Sequence, residues 1–224
     1  MQICVSVEGP DGAGKSVVID ELLDFAYELG IPAIRIDKRS SPLMCGLSDL
    51  IALSGVAEDG LKEFWLKDAN VYARMARDLL KAEWALNDQA YIVVLDRFIL
   101  STVAHAMTME SSADLAREVK EFAHRVHRMF DGRHTIFLCC VPFDICWTRI
   151  KNRGQPLSKK ELRGPAFMEH HYEMTYKAVG AVDAGSVVRV NTGRTLGQTR
   201  MEVRAATQML ISTMLKDGKD RRTS

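Results

Sequence analysis

Residues 9–16 read GPDGAGKS and combine three glycines with a lysine and a serine at a fixed spacing. The pattern Gly-x-x-x-x-Gly-Lys-Ser follows an apolar run and precedes an amphipathic stretch, the context of a phosphate-binding loop between a strand and a helix. The glycines let backbone N–H groups turn toward phosphate oxygens, the lysine adds positive charge, and the serine hydroxyl is a ligand for Mg²⁺. We therefore predict a P-loop whose nucleotide contacts are Gly9, Asp11, Gly12, Ala13, Gly14, Lys15, Ser16 and Val17.

A carboxylate that could assist the P-loop is that of Asp96, which ends the apolar run YIVVLD and is followed at once by Arg97. An acid at the end of a buried strand places a carboxylate near the Mg²⁺ of a P-loop protein, so Ser16 and Asp96 are the predicted metal ligands. An ordinary strand-end aspartate is the weaker alternative, because the P-loop is present. The planar guanidinium of Arg97 can reach a transferring phosphoryl group or the phosphate of an acceptor. Lys15, Asp96 and Arg97 are therefore predicted to be catalytic.

The elements that position these residues alternate between short β-branched runs and longer helical patterns. Each predicted strand is almost entirely apolar, as expected of parallel strands covered on both faces. The alternation predicts a three-layer, doubly wound α/β fold with a parallel five-stranded sheet. The predicted strands are 3–7, 33–37, 91–95, 135–141 and 187–190, and the predicted helices are 15–29, 43–53, 61–87, 113–130, 143–152, 165–179 and 196–215.

No internal repeat or Pro/Ser-rich linker divides the chain, so one domain is predicted over residues 1–216. The polar stretch GQPLSKKELRG, residues 154–164, is bounded by glycines and has the character of a mobile insertion. The charged tail at 217–224 is expected to fray.

Composition places the chain in an ordinary globular class. A net charge of +1 over 224 residues gives no support to a general nucleic-acid or membrane-surface role, although it leaves local basic patches open. The five cysteines form no C-x-x-C, which favours free, buried thiols in a reducing compartment. The N-terminus lacks the features of a signal peptide, and no apolar run reaches the ~20 residues of a membrane span. We expect a cytoplasmic protein without membrane contact.

The same residues narrow the class of P-loop protein. A guanine-reading N-K-x-D is excluded because the chain contains no Asn-Lys pair. The partner motifs of motor or transporter ATPases are also missing. A P-loop, a strand-end Asp-Arg pair and a basic flap are together typical of a small kinase, which implies ATP and Mg²⁺ as cofactors.

Four stretches resemble the thymidylate kinase family. VEGPDGAGKS resembles the family's F-E-G-x-D-G-x-G-K-S/T, and VVLDRFILSTVAHA resembles its D-R-Y/H followed by x-x-S-x-x-A-Y. TIFLCCVPFDICWTRIKNRG resembles its L-D-V-x-P…R-I-x-x-R-G, which leads into a lid, and VYARMARD resembles its A-x-R segment. The resemblance spans most of the chain and implies a P-loop kinase fold with a lid at 154–164. It also implies transfer of the γ-phosphate of ATP to a nucleoside monophosphate such as thymidylate.

The resemblance assigns roles at the acceptor site. Asp11 would approach the acceptor sugar and the metal, and Arg97 would bind the acceptor phosphate. Asn70 and Arg74 share one face of a predicted helix with two further basic residues, for which a solvated polar face is the alternative. For His105, pocket and ordinary packing roles remain equally open. The implied acceptor residues are Asp11, Arg39, Asn70, Arg74, Arg97, Ser101, Thr102 and His105.

The resemblance also assigns the lid and the adenine side. Thymidylate kinases carry a basic catalytic residue either in the P-loop or in the lid, and glycine occupies the P-loop position here. The lid charge would then come from Arg153, Lys159, Lys160 or Arg163, of which Arg153 and Arg163 are preferred. A solvated charged loop is the alternative for each. Arg149 would pack on the donor adenine, and Arg194 would border it.

Departures from the family pattern concentrate around the acceptor. Phe98 and His105 replace the usual polar aromatics, and a second phosphate-side arginine is missing. Cys139 stands where the family tends to have aspartate. The acceptor could therefore be thymidylate, another or a modified deoxynucleotide, or a hydroxymethylated base in DNA, as in virus-encoded relatives. The net charge makes DNA the weaker choice. A non-catalytic P-loop module is the rival from another class, and the resemblance suggests a homodimer.

Overall fold

The computed structural model describes residues 2–36, 91–109, 121, 134–182 and 187–220. The strands are β1 (Gln2–Glu8), β2 (Ala33–Ile36), β3 (Tyr91–Asp96), β4 (His134–Cys140) and β5 (Val187–Asn191). The helices are α1 (Lys15–Glu28), α2 (Ile99–Met109), α3 (Phe143–Asn152), α4 (Pro165–Ala181) and α5 (Leu196–Asp220), with a short 3₁₀ helix at Glu161–Arg163. The predicted helices at 43–53, 61–87 and 113–130 lie outside the described residues, apart from Glu121. Within the described ranges no helix is both long and apolar enough to cross a membrane.

The strands form one five-stranded sheet in the order β2-β3-β1-β4-β5. All four pairings are parallel, and in the central strand Val5 registers with Val94 on one side and Thr135 on the other. Each strand bound lies within one residue of its predicted position. The predicted α/β fold with a parallel five-stranded sheet is therefore confirmed. Since parallel strands end at the same edge, the ends of β1 and β3 bring Glu8 and Asp96 to one side of the sheet.

Helices cover both faces of the sheet and complete three layers. On one face, Leu95 packs with Val103 of α2 and Ala178 of α4 in a buried cluster. On the other face, Val94 packs in a second cluster with Leu22 of α1. The alternation of side chains along a strand sends successive residues of β3 into opposite layers, which explains why the strand sequence is continuously apolar.

Helix α2 is the element that the sequence patterns did not predict. Its eleven residues ILSTVAHAMTM carry no charged side chain and are mostly apolar, and a short apolar run of this kind cannot be assigned to a helix by periodicity alone. In the structure it is a buried helix whose first turn is held by the carboxylate of Glu8 from β1. The end of α5 also lies beyond the predicted bound of 215, at Asp220.

Helices α1 and α5 are joined by a buried carboxylate. Glu21 of α1 is buried and accepts a hydrogen bond from Arg204 of α5, while the Arg200 Nε lies 3.1 Å from its second oxygen. Arg204 also donates two hydrogen bonds of 2.7 Å to the exposed Glu28. These contacts hold α5 against the helix that begins at the P-loop.

Replacing Glu21 with alanine is expected to lower the free energy of unfolding by about 2 kcal/mol, because two guanidinium groups lose a buried, hydrogen-bonded anion. Urea denaturation followed by circular dichroism measures the change. Glu28→Ala is the matched control, and a clearly smaller decrease is expected since this carboxylate lies in solvent. Equal effects of the two substitutions would contradict the role given to Glu21.

Candidate active site

The P-loop joins β1 to α1 and closes around the ammonium of Lys15. The Lys15 Nζ donates to the carbonyl oxygens of Gly9 at 3.0 Å and Pro10 at 2.5 Å. Burial lowers the pKa of Lys15 to about 8, and the nearby Arg97 cation acts in the same direction. The Ser16 side chain, in contrast, is exposed at the first turn of α1. The loop thus presents a confined cation and an accessible hydroxyl at the positive end of a helix.

Asp11 of the P-loop lies between two cations from distant parts of the chain. Its Oδ1 accepts a hydrogen bond from Arg97, and its Oδ2 pairs with Lys160 of the predicted lid. Burial by itself would raise the pKa of Asp11, but the charges of Arg97, Lys160 and Lys15 outweigh it and hold the pKa well below its usual range. Three cations around one carboxylate leave an excess of positive charge, which suits a group of phosphates.

Asp96, the predicted metal ligand, is paired with an arginine that the sequence patterns did not single out. Arg35 of β2 donates to the Asp96 Oδ2, and a second nitrogen of Arg35 lies 4.0 Å from Asp20 of α1. Strands β2 and β3 are neighbours, with Arg35 opposite Val94 in the register. Because the two residues are 61 positions apart, only the strand order could have revealed this pair.

Arg97 occupies an unusual backbone position between β3 and α2. Its φ is 65°, the only positive value for a non-glycine residue among the described residues. Such a conformation costs of order 1–3 kcal/mol and persists only where the surroundings fix it. The Arg97 N–H donates to the Val7 carbonyl at 3.1 Å, which holds this turn against the end of β1.

The P-loop has no room for a side chain at position 12. A Cβ added to Gly12 would lie 2.4 Å from the Cys146 carbonyl oxygen of α3, and the φ of Gly12 is +78°. A basic residue at position 12 is therefore sterically incompatible with this packing. That the catalytic charge comes from the lid stays a prediction.

The four cations named from the sequence for the predicted lid have four different arrangements in the structure. Arg153 donates to both oxygens of the buried Glu161, at 3.0 and 2.7 Å. The Arg163 guanidinium lies 3.8 Å from the ring centre of Phe167. Lys160 reaches the P-loop at Asp11, whereas Lys159 is exposed. Of these four residues, Lys160 is the one that the fold brings to the P-loop, and catalytic roles for Arg153 and Arg163 stay predictions.

Arg149 of α3 links the P-loop to the loop after β5. Its guanidinium donates to the Gly12 carbonyl at 3.4 Å and to the Thr192 carbonyl at 2.9 Å. This places Arg149 at the side of the P-loop predicted to hold the donor base. Arg194, two residues further along the same loop, is exposed.

The polar residues of α2 make contacts within the protein. The Ser101 hydroxyl donates to Glu8, and the hydroxyl of the buried Thr102 donates to the Phe98 carbonyl at 3.1 Å. The His105 ring meets the His171 ring of α4 edge-on, with centres 6.1 Å apart. Burial lowers the pKa of His171 to about 3, so this imidazole is neutral near pH 7. The predicted acceptor residues Arg39, Asn70 and Arg74 lie outside the described residues.

Comparisons with known proteins identify the fold and then the family. The YorR protein of Bacillus subtilis, solved in complex with phosphorylated GDP, superposes with a TM-score of 0.55 at 14% identity, covering 96% of this chain and 98% of that one. A parallel sheet in this order with a P-loop after β1 defines a P-loop kinase fold. The thymidylate kinase model matches residues 7–203, and the chain belongs to the thymidylate kinase family. A thymidylate kinase of Finegoldia magna is 28% identical over 123 residues, a match that spans 53% of this chain and 58% of that enzyme.

Proposed function

We propose that the protein is an ATP-dependent kinase that transfers the γ-phosphate of ATP to a nucleoside monophosphate, with thymidylate as the first candidate. The observation that carries the proposal is the cluster of Lys15, Arg97 and Lys160 around Asp11 at the mouth of the P-loop. Membership of the thymidylate kinase family supports the same reaction. The cluster lies where the phosphates of a donor and an acceptor would meet.

The donor side suits ATP. The P-loop packs so closely against α3 that position 12 admits only glycine. Without a side chain at this position, backbone N–H groups can approach phosphate oxygens directly. The confined Lys15 ammonium, now held by two loop carbonyls, would turn to the phosphates. Arg149 contacts both sides of the expected base site and would support the adenine, with Arg194 at its border.

The metal side suits Mg²⁺. The exposed Ser16 hydroxyl and the Asp96 carboxylate are oxygen ligands of the kind that Mg²⁺ prefers, and both lie at the carboxyl edge of the sheet. When bound, Mg²⁺ neutralises the charge that develops between the two phosphate groups. Asp96 would have to loosen its contact with Arg35 in order to serve as a ligand.

The acceptor side rests on Arg97 and Asp11. The fork of Arg97 would bind the acceptor phosphate and hold it in line with the γ-phosphate, so that transfer is direct and needs no covalent enzyme intermediate. Asp11 would exchange its cation partners for the acceptor sugar and the metal region. Lys160 would then follow the transferring phosphoryl group, and the closed lid would exclude water.

Replacing Lys160 with methionine is expected to lower kcat by about 10²-fold, because one charge that acts on the transferring group is removed from the site. Steady-state kinetics with the acceptor varied would show a much smaller change in KM. Lys159→Met is the matched control, since it removes the same charge from the exposed neighbouring position, and near-normal kcat is expected. A full loss of kcat in Arg153→Met but not in Lys160→Met would contradict this assignment.

An acceptor screen tests the proposed function itself. Purified protein with Mg·ATP is offered thymidine, thymidylate, the other deoxynucleoside monophosphates, and DNA with normal or hydroxymethylated pyrimidines. The highest kcat/KM is expected for a monophosphate. Transfer only to DNA or to a free nucleoside would overturn the monophosphate kinase proposal. The absence of ATP consumption with every acceptor would favour the non-catalytic module instead.

A further inference from the structure

Glu8 is a fully buried carboxylate that the proposed chemistry does not use. It is the last residue of β1, directly before the P-loop, and its exposed fraction is 0%. Its Oε1 accepts hydrogen bonds from the N–H groups of Phe98 at 2.7 Å and Leu100 at 3.1 Å. Its Oε2 accepts from the Ser101 N–H at 3.2 Å and from the Ser101 hydroxyl. All of these donors belong to the first turn of α2 and the residue before it.

These bonds make Glu8 a cap for a helix in a distant part of the chain. The first N–H groups of a helix have no partner within the helix, and a carboxylate at this end is stabilised by the helix dipole. Burial raises the pKa of Glu8, whereas the hydrogen bonds from Ser101 and Phe98 and the charge of Arg97 oppose the increase. Burial of a carboxylate is unfavourable unless its hydrogen bonds are kept, and here all of the donors lie on one turn. Glu8 therefore fixes the position of that turn relative to β1.

Arg97 lies directly before the turn that Glu8 holds. Its own N–H is bound by the Val7 carbonyl, and the next N–H, of Phe98, is bound by Glu8. Two consecutive residues of β1 therefore hold the backbone on both sides of the Arg97 Cα. This explains how a positive φ is maintained at an arginine. It also fixes the direction in which the guanidinium leaves the backbone, toward Asp11, three residues after Glu8.

We propose that Glu8 is a positioning residue that sets the location of the Arg97 guanidinium, and through it the binding and alignment of the acceptor phosphate. The inference rests on the proposed function for its kinetic consequences, but the effect on Arg97 exists without any substrate. Glu8 itself touches neither phosphate. Its contribution to the reaction should vanish when the Arg97 side chain is altered.

The first experiment reads Arg97 directly in the ligand-free protein. The Nε–Hε signal of Arg97 is assigned in a ¹H–¹⁵N spectrum as the one missing in Arg97→Lys. In Glu8→Gln the amide cannot accept from all four donors, so the Arg97 signal is expected to shift and broaden as its ion pair with Asp11 loosens. Glu21→Gln is the matched control, because it also neutralises a buried carboxylate but lies between α1 and α5. The Arg97 signal should not change in this variant.

The second experiment measures the kinetic consequence with the acceptor found in the screen. Glu8→Gln is expected to lower kcat/KM for the acceptor by about 10- to 100-fold and to change the KM for ATP less than about twofold. In an Arg97→Lys background the same substitution should lower kcat/KM for the acceptor less than about threefold, since the effects of substitutions at coupled residues are not additive. Glu21→Gln should leave both KM values unchanged.

Two results would overturn the proposal. One is an unchanged Arg97 signal in a Glu8→Gln protein that is merely less stable. The other is an equal kinetic loss from Glu8→Gln in the wild-type protein and in the Arg97→Lys background. If Glu8→Gln fails to fold, Ser101→Ala serves instead, because it removes one of the four hydrogen bonds to Glu8. The Arg97 signal should then shift as expected for Glu8→Gln. An unchanged signal in Ser101→Ala would count against the proposal. If the wild type transfers phosphate to no acceptor, the proposed function fails, and the Arg97 signal still decides the role of Glu8.

Discussion

Replacing Arg97 with alanine is expected to lower kcat/KM for the phosphate acceptor by about 10³-fold, with the protein remaining folded. The substitution removes the planar fork proposed to bind the acceptor phosphate, and arginines that act on a transferring phosphoryl group have effects of this order. Asp11 keeps Lys160 as a partner, so its carboxylate is not left unpaired. Initial rates at varied acceptor concentration measure the loss, and thermal melting confirms the fold.

Arg200→Ala is the control for the loss of an arginine. Arg200 lies on α5 and pairs with Glu21 of α1 rather than with the P-loop or the lid. Its removal should leave kcat/KM within about twofold of the wild type. Near-normal turnover in Arg97→Ala would show that the acceptor phosphate binds elsewhere, and a separate measurement of ATP affinity would show whether the donor site is intact.

Replacing Gly12 with alanine is expected to weaken ATP binding by at least about 10-fold. The added methyl group would lie 2.4 Å from the Cys146 carbonyl oxygen, a distance that real Cβ atoms do not adopt. The obstacle is backbone in the first turns of α3, so the P-loop itself has to move. That movement would also break the contact between Arg149 and the Gly12 carbonyl. Binding of a fluorescent ATP analogue measures the change.

Gly30→Ala separates the clash from the backbone penalty. Gly30 also has a positive φ, +67°, but nothing lies within 4 Å of the position of an added Cβ. Gly30→Ala should therefore lower the free energy of unfolding by about 1–2 kcal/mol, the cost of an alanine in the left-handed region, without any loss of ATP affinity. If both variants bound ATP equally well, the packing of the P-loop against α3 would not matter for nucleotide binding.

Local sequence patterns predicted the strands and the P-loop because both depend on residues that are close in the sequence. A run of apolar β-branched residues favours a buried strand wherever it lies. The glycine spacing at 9–14 likewise suits a tight loop irrespective of the remaining chain. For the strands, the structure changed the bounds by no more than one residue.

Helix α2 and the Asp96–Arg35 pair could not be predicted in this way. The first turn of α2 depends on Glu8, which lies some ninety residues earlier. The partner of Asp96 depends on β2 lying beside β3 in the sheet. In both cases the sequence contained the residues, but their contacts depend on strand order, and strand order is a property of the whole fold.

The lid gives the clearest division between sequence and structure. From its resemblance to the thymidylate kinases, the sequence predicted a basic lid that supplies charge to a P-loop with glycine at position 12, and it offered four cations with Arg153 and Arg163 preferred. Only the tertiary structure shows which of them lies at the P-loop, because Arg153 pairs with Glu161, Arg163 packs on the Phe167 ring, and Lys160 pairs with Asp11. Charge can be counted along a chain, but the strength of an ion pair depends on the distance between its members and on their burial, both of which are set by packing.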